Sequence, residues 1–202
     1  MNTFLQELAQ ARPNPGGGAA AAYGANLGLA LLEKVVRLES QRRQKPAGEA
    51  HRTWGEALAQ LRRLAESLEK LQEEDVRAYF NLVAARTSGD AALMAAAVRE
   101  AVACPRRIME QAARSLELLA WTGEHCKKHL ISDLLVAVEL LGAALRGAYH
   151  IAGANLPLTA NESSRQTLAL ELRQAWREGE DLYQRVKVGL MDRIMLNNCP
   201  DI

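Results

Sequence analysis

Two aspartates and an asparagine, Asp75, Asp133 and Asn155, stand on stretches that are otherwise apolar at helical spacing. A carboxylate on such a face loses hydration unless something faces it, so each acid is a candidate proton-transfer group or a member of a structural pair. Asp75 falls on the stripe of Leu61, Ala65 and Leu68, where a ligand or a neighbouring arginine must answer it. Asp133 opens a face that continues through Ala137, Ala144 and Ala148 to Asn155, roughly six helical turns further on. Those two polar groups would bracket a small-residue groove, while Ser132 and Asp133 suit a helix cap equally well.

The third candidate is backbone. In Arg12-Pro13-Asn14-Pro15-Gly16-Gly17-Gly18 the prolines stiffen the approach and the glycines open φ values closed to other residues. The helix that follows begins with N–H groups lacking intrahelical partners, an end that can receive an anion or a carbonyl oxygen. A hinge plus close helix packing explains the same residues. Ala20, Gly24 and Gly28 then recur every four residues, a stripe almost without side chain and therefore a contact surface. His125, Cys126 and His129 offer three zinc ligands if helical, but a fourth is not evident and Lys127 and Lys128 repel a cation, so no metal is expected.

Helices must position all of these groups. Apolar residues repeat at helical spacing nearly throughout and nothing alternates convincingly as a strand, which predicts an all-α, single-domain multi-helix bundle over residues 1–202 with a frayed tail from about 197. The expected helices run Thr3–Ala11, Gly18–Arg43, Glu49–Arg86, Ala91–Trp121, Leu130–Leu156 and Asn161 or Glu162 to Leu196. Ser88 or Asp90 should cap the fourth, and Pro105 should kink or divide it. A chain of 202 residues suffices for one good core, and with aromatics at 4% that core must be Leu, Ala and Val. With 25 basic against 24 acidic residues the net charge is +1, so no field recruits nucleic acid or an anionic membrane. Three scattered cysteines argue for a reducing compartment; the first twelve residues, with Glu7, do not read as a signal peptide, and the uncharged stretch from Pro13 to Leu32 is too poor in large apolar groups to span a membrane. The expected location is the cytoplasm.

The order of several short motifs is more specific than any one of them. Phe4 and Leu8 precede Pro13-Asn14-Pro15-Gly16-Gly17-Gly18; Arg42-Arg43 follows the first long helix; then come Asp75 with Ala78-Tyr79, Ala103 and Pro105, Ser132-Asp133-Leu134 with Val136-Ala137, Gly147-Ala148-Tyr149, and Asn155-Leu156. In this order the chain resembles the formiminotransferase-cyclodeaminase C-terminal family, of cyclodeaminase domains and free-standing methenyltetrahydrofolate cyclohydrolases. The resemblance implies an all-helical homodimer acting on the one-carbon unit between N5 and N10 of tetrahydrofolate. That folate is the substrate's own carrier, and no further cofactor is expected. A cyclohydrolase opens the 5,10-methenyl cation to 10-formyltetrahydrofolate; a cyclodeaminase closes 5-formimino-tetrahydrofolate and expels ammonia. Hydrolysis is the first expectation, because no fused transferase domain is present to deliver a formimino group.

Under the resemblance Asp133 and Asp75 are the acids of the reaction, with the base undecided between them. Asn155 would orient the pterin amide or a water, the Gly16, Gly17 and Gly18 backbone would touch substrate, and Arg42 and Arg43, with Lys45 nearby, would meet the anionic glutamate tail. Two departures, Ala19 where the family often has Ser and Ile151 where it often has Asn, favour the rival reading of a catalytically inactive dimeric scaffold.

Overall fold

The computed structural model describes residues 3–42 and 52–195. Within them the chain forms six α-helices: α1 (Thr3–Leu8), α2 (Gly17–Arg42), α3 (Arg52–Ser88), α4 (Ala91–His125), α5 (Ile131–Asn155) and α6 (Glu162–Met195). Short 3-10 turns, Lys128–Leu130 and Leu156–Leu158, lead into and out of α5. The expected boundaries differ from these by a few residues at helix ends. Asp90 makes the α4 cap, its carboxylate accepting from Ala92 N–H at 2.7 Å and Leu93 N–H at 3.1 Å, while Gly89 takes the positive φ of 69° that ends α3. Pro105 does not divide α4; the helix continues through it with the ring buried.

α5 is the centre of the bundle, packed against α2, α4 and α6, with α3 closing the outer side of α2 and α4. Its mostly apolar sequence fits a helix surrounded by others. The core is aliphatic as composition required: Leu32, Leu61, Leu68, Ile108, Leu116, Leu119, Leu134, Leu141 and Leu145 are fully buried. Each such side chain stabilises the fold by roughly 1.5–3 kcal/mol relative to exposure. The scarce aromatics pair off, Trp54 with Trp121 at 4.8 Å and Tyr149 with Trp176 at 5.2 Å between ring centroids.

α2 and α5 run antiparallel. Gly17 lies against Ile151, Ala21 against Gly147, Gly28 against Ala137 and Leu141, and Lys34 against Asp133. A Cβ on Gly28 would stand 3.1 Å from the Ala137 carbonyl, so glycine there sets the close approach of the two helices. The small-residue stripe drawn through Ala20, Gly24 and Gly28 is only partly the contact surface, since Gly24 faces open space. Steps of four drift away from a 3.6-residue turn. The buried face instead follows Ala21, Ala22, Ala25, Gly28, Leu29 and Leu32.

Candidate functional site

At the start of α2 the glycine turn meets α3. Asn14, in a cis bond to Pro15, is buried and its Nδ2 donates to the Val76 carbonyl at 3.5 Å. One residue before Val76, Asp75 reaches across to α2, where the Ala19 N–H donates to its Oδ2 at 2.9 Å. A Cβ on Gly18 would collide with that carboxyl group. Gly18 is therefore glycine because the Asp75 side chain fills its Cβ space, and the group that answers Asp75 is a helix N-terminus. No arginine pairs with Asp75 among the described residues; Arg107, across from α3, pairs with Glu74 at 3.0 Å and with Glu100.

Burial raises the Asp75 pKa, and the Ala19 N–H opposes it more weakly. Beside it the Cys104 thiol, donating to the Leu71 carbonyl at 3.6 Å, is pushed up to about 12 by burial and then by the Asp75 charge. The thiol is thus no nucleophile. Asp75 is a carboxyl that burial makes a stronger base than one in water, held by one backbone donor: a group suited to carrying a proton between two nitrogens or from water. On the neighbouring face of α3 a cleft of about 500 Å³ is lined by Asn14 and Pro15 of the turn, the rings of Phe4 and Phe80, and Arg12 and Arg77. α5 covers the other side of the turn with hydrocarbon, a Cβ on Gly17 standing 2.9 Å from Ile151 Cδ1.

The opposite end of the α2–α5 pair holds the other acid. Asp133, in the first turn of α5, forms an ion pair with Lys34 at 2.8 Å and stays partly exposed. It does not cap the helix, whose N-cap Leu130 has no side-chain bond. Lys34 follows Ala19 by fifteen residues of one helix, which separates the two acids by about 22 Å within one chain. Antiparallel packing forces this, because the N-termini of α2 and α5 lie at opposite ends. Arg42 belongs to the Asp133 end, bonded to Glu39 at 3.0 Å and to His129 at 3.1 Å. Arg43 and Lys45 lie outside the described residues. Asn155 belongs to the Asp75 end; its Nδ2 donates to the Ala101 carbonyl at 2.7 Å and fastens the last turn of α5 to α4. The groove expected between Asp133 and Asn155 is filled, with Ala137, Ala144 and Ala148 buried under neighbouring helices.

His125, Cys126 and His129 have separate partners: the Trp121 carbonyl at 2.7 Å, the Gly123 carbonyl at 3.8 Å, and Arg42. Glu39 was not among the expected site residues; it is 1% exposed, pairs with Arg42 and accepts the Lys127 N–H at 3.2 Å, tying the α4–α5 connector to α2. The signal was present, since Glu39 continues the buried stripe of Leu32, Val35 and Val36.

A sequence model described as formiminotransferase-cyclodeaminase matches residues 1–174, from the start of the chain into α6. The chain belongs to the formiminotransferase-cyclodeaminase family. Membership agrees with the fold. The crystal structure of formiminotetrahydrofolate cyclodeaminase from Thermotoga maritima superposes with a TM-score of 0.85 over 95% of this chain and 96% of that one, at 24% identity. No curated protein matches. Among the described residues no helix is long and apolar enough to cross a membrane.

Proposed function

We propose that this member of the family acts on the one-carbon unit of tetrahydrofolate, with Asp75 as the group that moves the proton. The observation that carries the reading is the half-buried Asp75 carboxyl, its pKa raised by burial, held on the N-terminus of α2 beside a cleft with aromatic walls and arginines at its edge. In the deaminating reaction the formimino group enters protonated, as its amidinium, and N10 attacks that carbon on N5. The N10 proton passes to Asp75 and on to the departing nitrogen, and the carbon–nitrogen bond breaks to give ammonia and the 5,10-methenyl cation. One carboxyl suffices for this relay, and as carboxylate it stabilises the cation. Phe4 and Phe80 suit a flat pterin, while Arg12 and Arg77, paired with Glu7 at 3.8 Å and Glu74 at 4.0 Å, would have to exchange those partners for the carboxylates of the glutamate tail. The Gly16, Gly17 and Gly18 backbone and Asn155 lie at this same end.

The fold shared with a solved cyclodeaminase supports ring closure as the first reading. Hydrolysis of the methenyl cation uses the same group in a second reading: Asp75 takes a proton from attacking water and returns it to N5 as that bond breaks, while the remaining hydroxyl proton leaves to solvent as the formyl carbonyl forms. Asp133, Arg42 and Arg43 enter either reaction where a homodimer, as the resemblance implies, sets the far end of one copy against the glycine turn of another. The inactive scaffold is favoured by one observation, that Ile151 covers Gly17 and Asp75 already occupies the Ala19 N–H.

The test is direct. Purified protein is given 5-formimino-tetrahydrofolate and, separately, 5,10-methenyl-tetrahydrofolate, and the methenyl absorbance is followed with Asp75→Asn and Asp133→Asn in parallel. Appearance of methenyl from the formimino substrate, reduced about a hundredfold or more in Asp75→Asn, is the expected result. Loss of methenyl above the spontaneous rate would select hydrolysis, and no turnover of either substrate would sink both readings in favour of the scaffold.

A further inference from the structure

The fold contains a larger concavity that the folate reading does not use. Between the N-terminal half of α4 and the start of α6 lies a groove of about 810 Å³. Its α4 wall is one helical face, with Met94, Val98 and Val102 giving an apolar floor and Leu168 of α6 facing them. The opposite face of the same stretch of α4 carries Glu100, Cys104 and Arg107 toward α3, so the groove is separate from Asp75.

Charge and hydrogen bonding give the groove a polarity. Arg99 and Arg106 line it, and none of its lining residues is an acid. Arg106 is neutralised by Glu171 at 2.8 Å and Glu110 at 3.4 Å. Arg99 has no acceptor among the described residues. Thr159 Oγ1, at the corner between the 3-10 turn and α6, is buried with no hydrogen-bond partner. Arg99 is exposed, so its guanidinium is hydrated in the free protein and open to an anionic ligand beside the apolar floor. The corner is held in place from both sides, by the Asn155 bond to Ala101 and by the Thr159 N–H bond to Leu156 O at 3.0 Å.

We propose that this groove binds an amphipathic carboxylate: an aromatic or aliphatic body on Met94, Val98, Val102 and Leu168, and its carboxylate on the Arg99 guanidinium. Arginine suits the planar, two-oxygen acceptor. The proposal does not depend on the folate reading, because its residues line the face of α4 opposite to the one that meets α3 and Asp75.

Calorimetric titration of the full chain with 2-naphthoate tests it. Binding at one site per chain is expected, weakened about tenfold or more in Arg99→Gln and for the uncharged analogue 2-naphthol. Ala95→Trp, which places an indole in the groove from an exposed lining position, should abolish binding while the circular dichroism and melting temperature stay as in the parent. Arg99 is itself exposed, so Arg99→Gln keeps the test decisive even if the tryptophan variant folds poorly. No binding by the parent protein, or binding unchanged in Arg99→Gln, overturns the proposal. Displacement of 2-naphthoate by equimolar inorganic phosphate would likewise overturn it, by showing a bare anion site.

Discussion

Asp75 and Gly18 are one feature made by two residues on different helices. A Cβ at position 18 needs the space the carboxyl occupies, so Gly18→Ala should swing Asp75 out and leave the Ala19 N–H without its acceptor. We expect a loss of about 1–3 kcal/mol in urea unfolding. The same substitution in an Asp75→Ala background should cost much less, which separates the clash from a general effect on helix α2. The acid also sets a pH signature. Its folded pKa lies above the ordinary value of about 3.9. Below that value the carboxyl is neutral in both states and its contribution is fully present; as pH rises through the folded pKa a charge must be buried and stability is lost. Asparagine has no such charge. The stability of Asp75→Asn relative to the parent should therefore grow from pH 4 to pH 7, and a difference that shrinks would mean that the Ala19 bond outweighs burial.

Between elements, the α2–α5 pair decides where every candidate residue ends up. Its close approach at Gly28 and its antiparallel sense put Asp133 with Lys34 and Arg42 at one end, and Asp75 with Asn155 at the other. The Lys34–Asp133 pair spans two helices in a partly exposed setting. A double-mutant cycle with Lys34→Ala and Asp133→Ala should give a coupling of about 0.2–1 kcal/mol, falling as salt is raised. Much of the element pattern was legible in the sequence, because helical periodicity is local: all six helices stand near where apolar spacing placed them, and Asp90 caps as one of two candidates. Of the two outcomes expected at Pro105, a kink or a division, the division does not occur, since α4 continues through the buried proline.

For the whole molecule, the separation of the two acids is itself testable. Stability changes at sites about 22 Å apart on one helix pair should add within about 0.3–0.5 kcal/mol. Asp75→Asn with Asp133→Asn in one chain should therefore unfold with the sum of the single effects. A strong coupling in dilute solution that vanishes on dissociation would show the two ends meeting between copies. The sequence by itself determined the helical class, the aliphatic core and the family, since these rest on periodicity, composition and motif order, all readable along one dimension. It also marked Asp75 as an acid needing an answer. Only the tertiary structure decided what answers it, and that Asp133 stands far away paired with Lys34. The reason is that partners are chosen by how helices lie against one another, and the direction of α5 relative to α2 is written in no local pattern of either.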